Sequence, residues 1–203
     1  MERMKLPAFC IIFLGLISTG CMGTFETARV TTFRAGATYF ATAESDEDQS
    51  WNMPGIFLEG GFPGGPSRFG IGLHIKAALS VGDNDGFIAV WGGKLQFPEN
   101  RIADVAVAVD MWGLYFPGEI KLHLSKRMGI FEPYVCLAIV DFLDYTEGDD
   151  GSIDIFSDEG NLSVTLGSMA SLGNASAWKL AAELEAGPVW KACGFGAGIF
   201  REF

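Results

Sequence analysis

In the stretch "SRFGIGLHIKA", residues 67–77, apolar and polar positions alternate without a break. Phe69, Ile71, Leu73 and Ile75 fall on one face, and Arg68, Gly70, Gly72, His74 and Lys76 on the other. A period of two is the signature of an extended strand, because successive Cβ atoms point to opposite sides. "EIKLHLSK" repeats it, with Ile120, Leu122 and Leu124 opposed to Glu119, Lys121, His123 and Ser125. "SAWKLAAELE" sets Trp178, Leu180, Ala182 and Leu184 against Lys179, Ala181, Glu183 and Glu185. A soluble barrel hides the apolar set inside, where isolated charges are expensive, whereas a membrane barrel turns the apolar set to lipid and the charges to its lumen.

Turn residues divide the chain into ten candidate strands: 31–43, 54–63, 67–79, 86–97, 102–115, 118–127, 130–143, 160–171, 176–186 and 189–201. Most are long enough for the roughly 9–11 residues that a tilted strand needs to cross hydrocarbon. The connectors alternate in character. "ESDEDQSWNM", "SVGDNDG", "YFPGE", "DYTEGDDGSIDIFSDEG" and "EAGPV" fall on one side, and the short "PGGPS", "FPENR", "KRMG" and "SLGNASA" on the other. Long acidic loops at one end and tight turns at the other match the asymmetry of outer-membrane barrels. The expected fold is an all-β, antiparallel, up-and-down transmembrane barrel of about ten strands. Eight or twelve stay open, since "YFPGE" fits within a bend and the 144–159 loop has room for a hairpin.

The amino terminus carries an address. A charged start (Glu2, Arg3, Lys5), the apolar run "LPAFCIIFLGLI" and the small residues "STG" before Cys21 make an export signal over residues 1–20. The apolar run contains Pro7 and is shorter than the ~20 residues of a membrane helix. "STGC" resembles a bacterial lipobox, with Ser18 where leucine is usual; that resemblance implies acylation of Cys21, a lipidated segment over 21–30 and a barrel over 31–203. Removing residues 1–20 takes Arg3, Lys5 and Glu2 from a chain of 14 basic and 25 acidic residues, leaving a net charge of −12. So acidic a protein is no nucleic-acid binder. Cys136 and Cys193 are the cysteines left for the folded domain, either bridged or as two buried thiols.

Aromatic residues lie near many expected strand ends: Phe62, Phe69, Phe87, Phe97, Tyr115, Phe131, Phe142 and Phe200, with Trp51, Trp178 and Trp190. Such rings suit the girdles at a membrane interface. The chain stops in "GIFREF", and a terminal aromatic resembles the signal that barrel-assembly machinery reads on a last strand, although Arg201 departs from its apolar pattern. Together, "STGC", the alternating strands and Phe203 resemble the small outer-membrane barrels of the OmpA and OmpX type, with a lipoprotein start. That likeness implies an outer-membrane location, outer-membrane lipid and lipopolysaccharide as surroundings, and the assembly machinery as a partner through Phe203. It implies no particular activity.

The expected lumen carries Arg68, His74, Lys76, Asp110, Glu119, Lys121, His123, Lys179, Glu183 and Glu185, joined by Arg34, Lys94, Lys191, Glu59 and Asp104. Opposite charges in near balance suggest a network filling a narrow interior rather than a wide pore. His123 and Ser125 share a strand face, and a His–Ser pair can activate a nucleophile; "HLS" resembles the His-x-Ser arrangement of outer-membrane lipid A deacylases, but no acidic third member is evident. "DNDG" and "DDGSID" hold oxygen ligands of the kind calcium favours without a complete loop spacing, and glycine-flanked acidic residues are foremost turn formers. "GFGAGIF" lacks the strand–turn–helix context of a phosphate loop, so its glycines are expected to make room for long side chains opposite. No metal or cofactor is expected. The functional expectation is a non-catalytic structural or surface-interaction role, with a narrow channel or transporter, a lipid-modifying enzyme using His123 and Ser125, and a periplasmic lipid-anchored soluble barrel binding an apolar ligand as alternatives.

Overall fold

A computed structural model describes residues 24–44, 50–81, 86–112, 115–140, 162–173, 177–187 and 192–203. It contains ten strands: β1 (Phe33–Glu44), β2 (Ser50–Phe62), β3 (Gly70–Ser80), β4 (Gly86–Gln96), β5 (Asp104–Trp112), β6 (Tyr115–Ser125), β7 (Phe131–Val140), β8 (Leu162–Ser171), β9 (Trp178–Gly187) and β10 (Ala192–Glu202). Each pairs antiparallel with its neighbour in sequence, and β10 returns to β1, so the sheet closes as an up-and-down barrel. Closure leaves no sheet edge with unpaired backbone groups. At the seam Phe203 donates its N–H to the Phe33 carbonyl, 3.0 Å, and their rings lie 5.5 Å apart.

The expected strand count holds, and boundaries moved by a few residues. β2 begins at Ser50 and so takes in "SWNM", while "YFPGE" opens β6, with Tyr115 opposite Trp112 of β5 and Glu119 opposite Asp110 of β5 and Val140 of β7. The short-turn end is well formed. Gly65 and Arg68 exchange backbone hydrogen bonds of 3.1 and 3.3 Å, and Met128 and Phe131 do the same around Gly129, whose φ of 63° belongs to the left-handed region that glycine tolerates. Arg68, expected in the lumen, is instead exposed in this β2–β3 turn, because the strand starts only at Gly70.

The outer wall is apolar all round. Ile71, Leu73, Ile75 and Leu79 of β3, Trp91 and Leu95 of β4, Leu137 and Ile139 of β7, and Leu180 and Leu184 of β9 all point outward and are exposed. Among the described strand residues the outward-facing charge is Arg201, at the rim, whose guanidinium covers the rings of Trp178 and Phe203 at 5.7 and 4.8 Å. Phe62, Phe69, Phe87, Phe97, Phe131 and Trp178 are exposed near the ends of the wall, as a girdle requires. Phe200 is a correction: it faces inward and is fully buried against Phe25 and Phe57. Its even position in β10 puts it on the same face as Gly196 and Gly198. The side chains of Tyr115 and Trp51, and residues Phe142, Trp190 and Lys191, lie outside the described residues.

Candidate functional site: a charged lumen filled by the N-terminal segment

Residues 24–30 do not lie outside the barrel. From β1 the chain doubles back through the short-turn end into the lumen, where Thr24, Phe25, Glu26, Thr27, Ala28 and Val30 are all buried. The barrel receives this segment with side chains instead of a backbone ladder. Phe25 N–H donates to Glu183 Oε2 at 2.8 Å, Ala28 N–H to Ser125 Oγ at 3.1 Å, and Val30 N–H to Gln96 Oε1 at 2.8 Å. The carbonyls of Phe25 and Thr27 accept from Arg34 at 3.3 Å and Lys94 at 3.2 Å. Glu183 also accepts from Tyr134 Oη at 2.7 Å and Thr24 Oγ1 at 3.2 Å.

Phe25 enters an apolar cluster with Phe40, Met53, Phe57, Ala78, Met169 and Phe200. Gly196 of β10 makes its berth. A Cβ on Gly196 would lie 2.7 Å from Phe25 Cζ and 2.8 Å from Glu183 Cγ. The cavity left beside the segment, lined by Phe25, Thr38, Phe40, Phe57 and Lys76 among others, is about 10 Å³, room for about one water centre. Gly196→Val is therefore expected to cost about 1–3 kcal/mol through overpacking, read as a lower urea midpoint. Gly60→Ala is the control, expected within about 0.5 kcal/mol, since its added Cβ meets nothing nearer than 3.6 Å.

Beside the apolar cluster lies the charge network, with Glu26 at its centre. Lys76 Nζ is 2.7 Å from Glu26 Oε1, His74 Nε2 is 3.5 Å from the same oxygen, and His123 Nε2 and Lys94 Nζ stand 3.7 and 3.9 Å from Oε2. Asp110 accepts from His74 Nε2 and from Lys121 Nζ, both at 2.7 Å, and Lys121 also reaches Glu119 at 2.6 Å. A register irregularity after Asp110 separates the pairs Asp110–Glu119 and Trp112–Tyr115. Glu59 binds Arg34 at 2.5 Å and Lys94 at 2.9 Å. The Arg34 guanidinium also lies 4.9 Å from the Phe57 ring and 5.4 Å from that of Phe200, joining the two halves of the lumen. The lysines and arginine of this network (Arg34, Lys76, Lys94, Lys121) equal its carboxylates (Glu26, Glu59, Asp110, Glu119), and Glu26 is supplied by the inserted segment.

Of the expected lumen residues, His74, Lys76, Asp110, Glu119, Lys121, His123, Lys179, Glu183 and Glu185 are buried inside, as are Arg34, Glu59, Lys94 and Asp104. Lys179 pairs with Glu202 at the short-turn end, 2.6 Å, away from the central network. Ser125 and His123 share a face but form no hydrogen bond with each other. Ser125 Oγ accepts from Ala28 and donates to Glu132 Oε1 at 3.2 Å, and neither ring nitrogen of His123 has a hydrogen-bond partner. Glu26, His74 and Asp110 each bring one ligand atom within 4.8 Å of the others. Lys76 and Lys121 already supply positive charge to those carboxylates, so a metal cation there would face two ammonium groups. Cys136 and Cys193 are separate thiols: Cys136 is buried facing the lumen, while Cys193 faces outward and is exposed, not buried. Cys21, "DDGSID" and residues 83–85 of "DNDG" lie outside the described residues.

The sequence did carry a signal for the inserted segment. "CGFGAG" in β10 puts glycine at the successive inward positions 194, 196 and 198, and the room they leave is taken by Phe40 and Phe200 of the wall and, at Gly196, by Phe25 together with Glu183 and Phe40. No family model matches the chain, and no curated protein matches its sequence.

Proposed function

We propose that this protein is a membrane-spanning barrel of the bacterial outer membrane, non-catalytic, which presents its acidic connecting segments as an interaction surface while residues 24–30 seal its lumen. The carrying observation is the inverted polarity of the wall: a charged, ion-paired interior and an outer face of exposed leucine, isoleucine and aromatic side chains. Soluble monomers rarely expose apolar patches beyond a few hundred Å², whereas here the apolar surface runs round the barrel. Strand lengths of 9–13 residues suit a hydrocarbon crossing. Outer-membrane lipid and lipopolysaccharide are then the surroundings, and Phe203, at the seam, is the contact for the assembly machinery.

The test is fractionation of cells expressing the full chain, with electrophoresis of boiled and unboiled samples. Recovery with the outer membrane and faster migration before boiling are expected. A protein released to the aqueous fraction without detergent would overturn the reading.

A further inference from the structure

We propose that residues 24–30 are a displaceable plug and that the basic groups converging on Glu26, namely Lys76, Lys94, His74 and His123, form an anion-binding constriction, selective for small carboxylates and similar anions, in a narrow path through the barrel. This rests on the membrane-spanning reading above. The site already holds a carboxylate, that of Glu26, with a lysine ammonium at 2.7 Å and three further basic nitrogens between 3.5 and 3.9 Å. Once Glu26 withdraws, Lys76 keeps Asp110 at 3.5 Å and Lys94 keeps Glu59 at 2.9 Å, and both ammonium groups stand with the His74 and His123 imidazoles around the vacated space, a local anion site within a lumen whose described acidic groups outnumber its basic ones.

Three features make the segment removable. It adds no strand to the sheet; its backbone is held by side chains of the wall, so withdrawing it breaks no ladder. Phe25 has φ 44°, a left-handed conformation that a bulky L-residue pays about 1–3 kcal/mol to hold. Glu26 Oε1 is held by the Lys76 ammonium at 2.7 Å, but Oε2 and both His123 nitrogens are fully buried without a directed hydrogen bond, and water entering behind the carboxylate would satisfy these three atoms. Toward the long-loop end the inward side chains of β7 and β8 are small, namely Cys136, Ala138, Ser163 and Thr165, while Glu132, Tyr134 and Met169 lie nearer the short-turn end.

Cys136 is a native reporter, because its thiol faces the lumen and is buried while the segment is seated. In full-length Cys193→Ser protein in lipid vesicles, an anionic methanethiosulfonate reagent is expected to label Cys136 slowly, yet faster than the barrel unfolds. Replacing Phe25 and Glu26 together by alanine is expected to raise that rate by about 10- to 100-fold, the shift expected from losing a charged anchor. The anionic reagent should outpace its cationic counterpart. In planar bilayers with a KCl gradient the variant is expected to conduct with an anion-selective reversal potential, reduced by acetate on either side, while the wild type stays closed.

A folded, inserted variant that leaves Cys136 protected and does not conduct overturns the proposal, as does cation selectivity. If the variant does not fold, the wild type decides: labelling no faster than global unfolding makes residues 24–30 a permanent part of the core. A protein that does not insert at all defeats the membrane reading instead, which fractionation reports separately.

Discussion

Replacing Asp110 by alanine is expected to destabilise the barrel by about 3–5 kcal/mol, the cost of breaking a buried ion pair from one side. Asp110 is fully buried and is the shared acceptor of Lys121 and His74, both at 2.7 Å, with Lys76 at 3.5 Å. Without it Lys121 keeps only Glu119, and the central network carries one uncompensated positive charge far from bulk water. The measurement is the urea midpoint of the inserted protein, followed by tryptophan fluorescence. A second change, Lys121→Met, removes the stranded ammonium and is expected to recover a substantial part of the loss. An Asp110→Ala midpoint within error of the wild type would mean that the lumen is hydrated enough to solvate a lone lysine, contrary to the packing described.

Ile75→Arg probes the other face of the wall and is expected to cost about 2–4 kcal/mol if that face meets lipid at mid-depth. Ile75 lies at the middle of β3, points outward between Leu58 and Trp91, and is 52% exposed. Exposure is what makes the test sharp. In water an arginine at such a position is nearly neutral, so a large loss identifies the surrounding medium as hydrocarbon. Ile102→Arg is the control: it sits in the β4–β5 turn, 86% exposed, and is expected to change stability by about 1 kcal/mol or less near an interface. Equal, small effects at both positions would show that the outer wall faces water.

Most of the wall was legible in the chain because a period of two is a local property. In β3, β6 and β9 each residue's side is set by its parity once the strand exists, so Ile75 outside and Lys76 inside follow from sequence alone. The same reasoning placed His74, Asp110, Lys121 and Glu183 in the lumen. It fails for Arg68, because the turn at 65–68 takes that residue out of the strand before parity applies, and nearness to a strand end is a poor guide for Phe200, whose even position sets it inward.

What the sequence by itself determined, then, is the alternation, the position of most strands and the separation of charge from apolar surface, all consequences of pleat geometry acting over a few neighbouring residues, while the closed sheet settled the count at ten against eight or twelve. Only the tertiary structure decided what fills the interior. Residues 24–30 have no strand period, and Glu26 is 48 residues from His74 and 97 from His123 in number, so nothing local announces that they meet. They meet because ring closure brings Lys76 of β3 and Lys94 of β4 to one point of the lumen, where Glu26 lies between them, and because Gly196 of β10 leaves room for the Phe25 ring of the segment leading into β1.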